Sequence, residues 1–103
     1  MELSDWIDWW KQRGKNGLND LLLRDWDPIG VGEMPEARDE YASYAGQIGQ
    51  GLREGAETSQ VADYLSEVRV GHMGAGPDRE ADTRVAGHIV DWYREEEAAW
   101  TRS

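Results

Sequence analysis

The sequence predicts an all-α protein, a compact bundle of about five helices, and three observations carry that expectation. Apolar residues recur at three-and-four spacing along most of the chain, strand-like alternation is almost absent, and the three prolines stand where helices should begin or the chain should turn. At 103 residues, with 39% hydrophobic content and six Trp, the chain suits a single domain, 1–103, with enough apolar material for a core. There is no internal repeat and no low-complexity segment.

The elements follow in order. Ser4 can cap a first helix through about Arg13, in which Leu3, Trp6, Ile7 and Trp10 form the buried stripe with Trp9 beside it. Gly14 and Gly17 should break that helix, and Asn16 can cap a short second one whose Leu18, Leu21 and Leu22 face inward and which ends near Asp25. Asp20 and Arg24 stand four residues apart, a favourable helical pair. Pro28, Gly30, Gly32 and Pro35 then forbid a regular helix.

Pro35 suits the first turn of a third helix, where Glu36, Asp39 and Glu40 meet the positive end of the helix dipole. Its stripe is Ala37, Tyr41, Tyr44, Ala45, Ile48 and Leu52, and Gly51 beside that stripe suggests the close approach of another helix. Gly46, Gly49 and Gly51 each weaken the helix by roughly 1 kcal/mol against Ala. Gly55 ends it, Thr58 or Ser59 can cap a fourth helix, and Val61, Tyr64, Leu65 and Val68 mark the buried side of that element as far as Gly71. After the GHMGAGP loop, Pro77 opens a last helix with Asp78, Glu80 and Asp82 in its first turn and with Ala81, Val85, Ile89 and Trp92 on one face. The end of the chain, 96–103, is expected to fray. Trp is concentrated in the first and last helices, which should therefore pack together.

Charge narrows the functional classes. Asp plus Glu number 21 against 11 Lys plus Arg, a formal charge of -10, which disfavours binding to nucleic acid phosphates and suits a basic protein partner. With no Cys, disulfides, thiolate chemistry and Cys-based zinc sites are excluded. No signal-peptide core and no membrane-length apolar run are present, so a cytoplasmic location without membrane contact is the expectation.

Acidity is densest from the WDPIG stretch into the helix after it. The local reading is structural: Asp27 before Pro28 is held extended, Gly30 and Gly32 can take positive φ, and Trp26 and Ile29 plug the loop into the core. The functional reading gathers Asp27, Glu33, Glu36, Asp39 and Glu40 into one acidic surface, with Trp9 and Trp100 as aromatic anchors near the ends of the chain. Core packing is the competing role for both Trp.

The segments WDPIGV at 26–31, DEY at 39–41 and VADYLSEV at 61–68 resemble a family of small uncharacterised bacterial helical proteins, in which a WDPIGV loop is followed by DEY and a short helix. The resemblance covers roughly residues 18–73. It implies a helical fold without enzymatic chemistry and an immunity-type or accessory role, and the positions that carry it are Trp26, Asp27, Pro28, Ile29, Gly30, Val31, Asp39, Glu40 and Tyr41.

Catalytic patterns are lacking. His72 and His88 have no zinc spacing, GHMGAG lacks the Lys-Ser/Thr ending and preceding strand of a phosphate loop, and no GxSxG occurs. His88 falls on the apolar side of the last helix and is expected to be packed. The chain is thus expected to be a non-enzymatic acidic helical module that binds a protein, with no catalytic residue, metal or cofactor. The alternatives are a divalent-metal enzyme or sensor built on Asp27, Glu36, Asp39 and Glu40, and a homo-oligomeric structural domain.

Overall fold

The computed structural model describes residues 1–27, 30 and 35–102. Its described residues form four helices and no strand, one helix fewer than expected. The difference lies at Gly14 and Gly17. Segments Leu3–Trp9, Trp10–Gly14, Lys15–Leu21 and Leu22–Trp26 run on without interruption as one helix, α1, residues 3–26. Gly14 is a clearance and not a break: a Cβ there would lie 2.7 Å from two atoms of the Trp9 ring.

The helical register of α1 also departs from the expected stripe. Trp10–Gly14 and Leu22–Trp26 are π-helical turns, closed by Lys15 N–H on the Trp10 carbonyl and Asp27 N–H on the Leu22 carbonyl. A π-turn adds a residue to one turn and so rotates the residues on one side of it relative to those on the other. The buried apolar residues of α1 are Trp6, Trp9, Leu18, Leu21, Leu22 and Trp26, while Leu3 and Ile7 are 55% and 39% exposed. Neither Ser4 nor Asn16 caps a helix, because α1 starts at Leu3 and passes through Asn16.

Helix α2, Pro35–Arg53, keeps the expected core positions Tyr41, Ala45, Ile48 and Leu52; the side chain of Ala37 lies outside the described residues. The close approach along α2 is at Gly49, where a Cβ would meet the Trp10 ring at 2.6 Å. At Gly51 the nearest atom is the Ala56 Cβ at an ordinary 3.6 Å. The helix ends on Gly55 at φ 91°, with Ala56 N–H on the Gly51 carbonyl (2.9 Å) and Gly55 N–H on the Leu52 carbonyl (3.1 Å). These two bonds are those of a Schellman motif, which needs the left-handed residue that Gly supplies.

Helix α3 joins Thr58–Glu67 to a third π-turn, Val68–His72, and spans residues 58–72. Its N-cap is Glu57, one residue before the Thr58 or Ser59 expected, and Gln60 Oε1 accepts the Glu57 backbone N–H at 2.8 Å. Val61, Leu65 and Val68 are buried as expected, and Tyr64 is half-buried. Helix α4, Arg79–Arg102, starts two residues after Pro77 and is capped by Asp78, whose Oδ1 accepts Ala81 N–H at 3.0 Å. It continues to Arg102.

Helices α2 and α4 both run antiparallel to α1. Pairings of Arg53 with Trp6, Trp10 with Gly49 and Trp26 with Tyr41 set α2 on one side. Pairings of Trp6 with Tyr93, Trp9 with Trp92 and Trp26 with Asp82 set α4 on the other. The first and last helices do pack through Trp: Trp9 lies 5.7 Å from Trp92 and 5.6 Å from Tyr93, and the Trp6 indole donates to the Tyr93 hydroxyl at 3.1 Å. Each such aromatic pair adds about 0.5–1.5 kcal/mol beyond its area burial. The Cα radius of gyration, 13.3 Å, is that of a compact chain of this length. No helix among the described residues is long and apolar enough to cross a membrane.

Candidate functional site

The end of α1 is where the expected site and the deepest polar group of the fold meet. Asp82, one of the acids expected in the first turn of the last helix, is fully buried. It lies on the stripe of Val85, Ala86, Ile89 and Tyr93, so the periodicity of α4 itself turns this carboxylate inward. Three neighbours ligate it. The Trp26 indole donates to Oδ1 at 2.8 Å, Arg69 donates to Oδ1 through Nε (3.0 Å) and Nη2 (2.9 Å), and Ser66 Oγ donates to Oδ2 at 2.9 Å. Arg69 also stacks 6.0 Å over the Trp26 ring.

Burial pushes the Asp82 carboxyl up, but the hydrogen bonds from Arg69, Trp26 and Ser66, with the charge of Arg69, outweigh it and hold the group below the usual carboxylate range. An ionised carboxylate with both oxygens engaged has little capacity left for a substrate. Its work is to tie α1, α3 and α4 together. Outside it, Arg79 donates to Ser66 Oγ at 3.2 Å and pairs with exposed Asp63 at 2.7 Å.

The other face of Trp26 leads to the acidic surface. Its ring centroid is 5.9 Å from that of Tyr41, and the Tyr41 hydroxyl donates to Asp27 Oδ1 at 2.8 Å. Asp27 was expected to be extended; it is found at φ 20° and ψ 64°, a conformation that Asp tolerates better than most residues. Burial, then the Asp27 hydrogen bond and charge, raise the Tyr41 hydroxyl well above its ordinary value. Tyr44 continues the row, 6.0 Å from Tyr41 and 6.2 Å edge-on to His72, with its hydroxyl donating to Glu40 Oε1 at 3.1 Å. Its hydroxyl too is raised, by burial and then by Glu40. Such hydroxyls are donors throughout the neutral range and poor proton acceptors.

Of the expected acidic surface, the structure thus places Asp27, Asp39 and Glu40 at one end of the bundle, with Asp39 and Glu40 exposed. Glu33 and the side chain of Glu36 lie outside the described residues. Of the expected aromatic anchors, Trp9 is 1% exposed and packs against Trp6, Trp10, Trp92 and Tyr93, so it is core and no surface anchor. Trp9 follows Trp6 by three residues on the same side of α1, so the buried side is centred on these two and not on Leu3 and Ile7. Trp100 is half-buried against the core cluster. His88, expected to be packed, is an exposed side chain with Nδ1 3.9 Å from Asp25 Oδ2.

Tyr44 and His72 are the surface residues that the acidic-surface reading missed. Tyr44 was legible as a stripe residue but not as the partner of Glu40, four positions earlier on the same helix. Among the described residues no group of three or more His, Asp or Glu side chains is arranged to hold a metal ion. Comparison with protein families, with curated proteins and with solved structures gave no match.

Proposed function

We propose that this protein is a non-enzymatic binding module that meets a basic protein partner through the face made by Asp27, Asp39, Glu40 and Tyr44. The observation that carries the reading is the exposure of the Asp39 and Glu40 carboxylates beside a half-buried Tyr44 fixed by its own hydrogen bond, on a chain of net charge -10. Charge would steer the encounter and the tyrosine rings would supply the buried contact. The resemblance to the family with the WDPIGV loop adds an immunity-type or accessory role, one in which a small acidic protein occupies a basic surface.

The test is affinity capture from an extract of the cells that make the protein, with the wild type and with the charge-reversed variant Asp39→Lys/Glu40→Lys as baits. A basic protein held by the wild type, lost by the variant and released as salt shortens the screening length below about 10 Å is the expected result. Equal retention by both baits overturns the assignment of the face.

A further inference from the structure

The face around Glu40 does not end at Tyr44. Positions 40, 44, 47, 48 and 51 share one side of α2, Glu54 continues it in the turn just past the helix, and beyond Tyr44 that side becomes the wall of a groove of about 400 Å³ against the start of α3. Ile48, Ala56 and Val61 supply its apolar surface, and Gln47, Glu54 and Tyr64 its polar one. Among the described residues no Lys, Arg or His lines it. Its volume lies at the lower end of the range for small-ligand pockets, enough for one long side chain.

The polar groups of this groove are available. Glu54 has no cationic partner among the described residues and only a marginal contact, 3.5 Å, from Gln50 Nε2. The Tyr64 hydroxyl, raised by burial and then by the charge of Glu67, stays neutral and can accept as well as donate. On the far side of the 54–57 turn lies a second hollow of about 290 Å³ that shares Gly55 and Ala56 but is lined by Arg53, Arg94 and Glu97. The turn thus separates a hollow that, among the described residues, holds a carboxylate and no cation from one in which two guanidiniums stand beside a single carboxylate.

We propose that the α2–α3 groove receives an arginine or lysine side chain of the partner, its alkyl stem on Ile48, Ala56 and Val61 and its charged head at Glu54. The inference rests on the basic-partner proposal and deepens it by naming the anchor. Glu54 follows Glu40 by fourteen residues and stands one past the end of α2, so the two are roughly 21 Å apart along the helix axis. A stretch of about six or seven extended residues covers that span, so one basic segment reaches both the Glu40 end and the groove.

The experiment uses the ¹⁵N-labelled full chain, titrated with n-butylguanidinium and, separately, with its neutral isostere n-butylurea, reading backbone amides and the glutamine side-chain NH2 signals. Butylguanidinium is expected to shift Gln47, Gly51, Gly55 and Gln60 at concentrations on the order of 1–10 mM, and butylurea to bind at least about fivefold more weakly. Glu54→Gln should weaken the guanidinium about threefold to fivefold. Gly51→Ala, an addition that a helical site with its nearest contact at 3.6 Å accepts, should narrow the groove and weaken both probes alike. Shifts confined to residues 39–44, or equal binding of the two probes, overturn the groove as a cation site and leave the acidic-face reading standing. That reading falls on the capture experiment instead. Shifts among Leu52, Val90 and Arg94 without Gln47 would place the cation in the wrong hollow and overturn the proposal as well.

Discussion

Replacing Asp82 by Ala is the most informative single perturbation of this fold. The change leaves the Arg69 guanidinium, whose side chain is 9% exposed, without its counter-charge, and the Trp26 indole without its acceptor at 2.8 Å. Breaking a buried ion pair by removing one partner costs about 3–5 kcal/mol, and orphaning a buried donor about 1–3 kcal/mol. The two donors share one carboxylate, so these costs overlap, and a loss of about 4 kcal/mol is expected. Domains of this size have about 5–15 kcal/mol in all. At about 4–8 °C per kcal/mol, the midpoint of thermal unfolding should fall by roughly 15–30 °C. Urea unfolding followed by far-ultraviolet circular dichroism gives the free energy directly. Two controls set the scale: Asp63→Ala, which removes the exposed pair with Arg79, should cost under about 0.5 kcal/mol, and Asp78→Ala, which removes a helix cap, about 1 kcal/mol. In a double-mutant cycle, Arg69→Ala/Asp82→Ala should lose about 2–3 kcal/mol less than the sum of the single changes. If Asp82→Ala falls within about 1 kcal/mol of Asp63→Ala, the carboxylate is not the tie that joins α1, α3 and α4.

Other outcomes rest on the same contacts. Because the folded Asp82 carboxyl sits below its ordinary value, its contribution is fully present above about pH 4 and is lost as pH falls through the depressed value; the urea midpoint of the wild type should drop steeply in that window, and that of Asp82→Ala less. The Tyr41 hydroxyl is shifted the other way, so its contribution is present below about pH 10 and lost as pH rises beyond it. Ultraviolet titration should show one tyrosine ionising only as the protein unfolds, and Tyr41→Phe should abolish that late step. Gly46→Ala and Gly49→Ala, three residues apart on α2, should have opposite signs. The first adds a methyl with nothing within 4 Å and should stabilise by about 1 kcal/mol. The second drives a methyl to 2.6 Å from the Trp10 ring and should destabilise by about 1–2 kcal/mol in the same urea assay.

Those glycines show how far the sequence could be read. Apolar spacing predicted the buried faces of α2 and α3 nearly residue for residue, because regular α-helices map sequence separation onto direction; in α4 it placed Val85 and Ile89, whereas Ala81 and Trp92 are half-buried and Asp82, Ala86, Val90 and Tyr93 take the core side. In α1 it placed Trp6, Leu18, Leu21 and Leu22 in the core but took Leu3 and Ile7 as buried and missed Trp9; the helix carries two π-turns, and the spacing from Trp9 to the next buried position, Gly14, is five. Gly14, Gly17 and Gly49 read as helix breakers, yet they stand against Trp9, Trp92 and Trp10, and only the tertiary contact reveals that a missing side chain is what the indoles require. The burial of Asp82 was hidden for a related reason. Acidic residues favour a helix first turn whether buried or exposed, and the stripe that places this one inside shows only when it is counted back from Val85 and Ile89. Its partner Arg69 stands four residues after Leu65, on the buried side of α3, but a lone Arg at that position gives no sign of the carboxylate it meets.

The acidic surface inherits its geometry from this interior. Trp26 is held from below by Asp82 and Arg69 and from the side by Tyr41, so the chain leaves α1 at Asp27 from a fixed point. Helix α2 is keyed to α1 at both ends of their contact, by Trp10 against Gly49 and by Tyr41 on Asp27. With α2 fixed in both rotation and height, Glu40, Tyr44 and Glu54 hold their mutual spacing before any partner arrives. A pre-set spacing spares the ordering cost that a floppy acidic segment would bear on binding. Loosening the core should therefore weaken recognition at a distance. An Asp82→Ala chain, studied at a temperature where it remains folded, should lose affinity for a basic partner although no residue of its acidic face has changed, and an unaltered affinity would show that the face orders itself without the buried carboxylate.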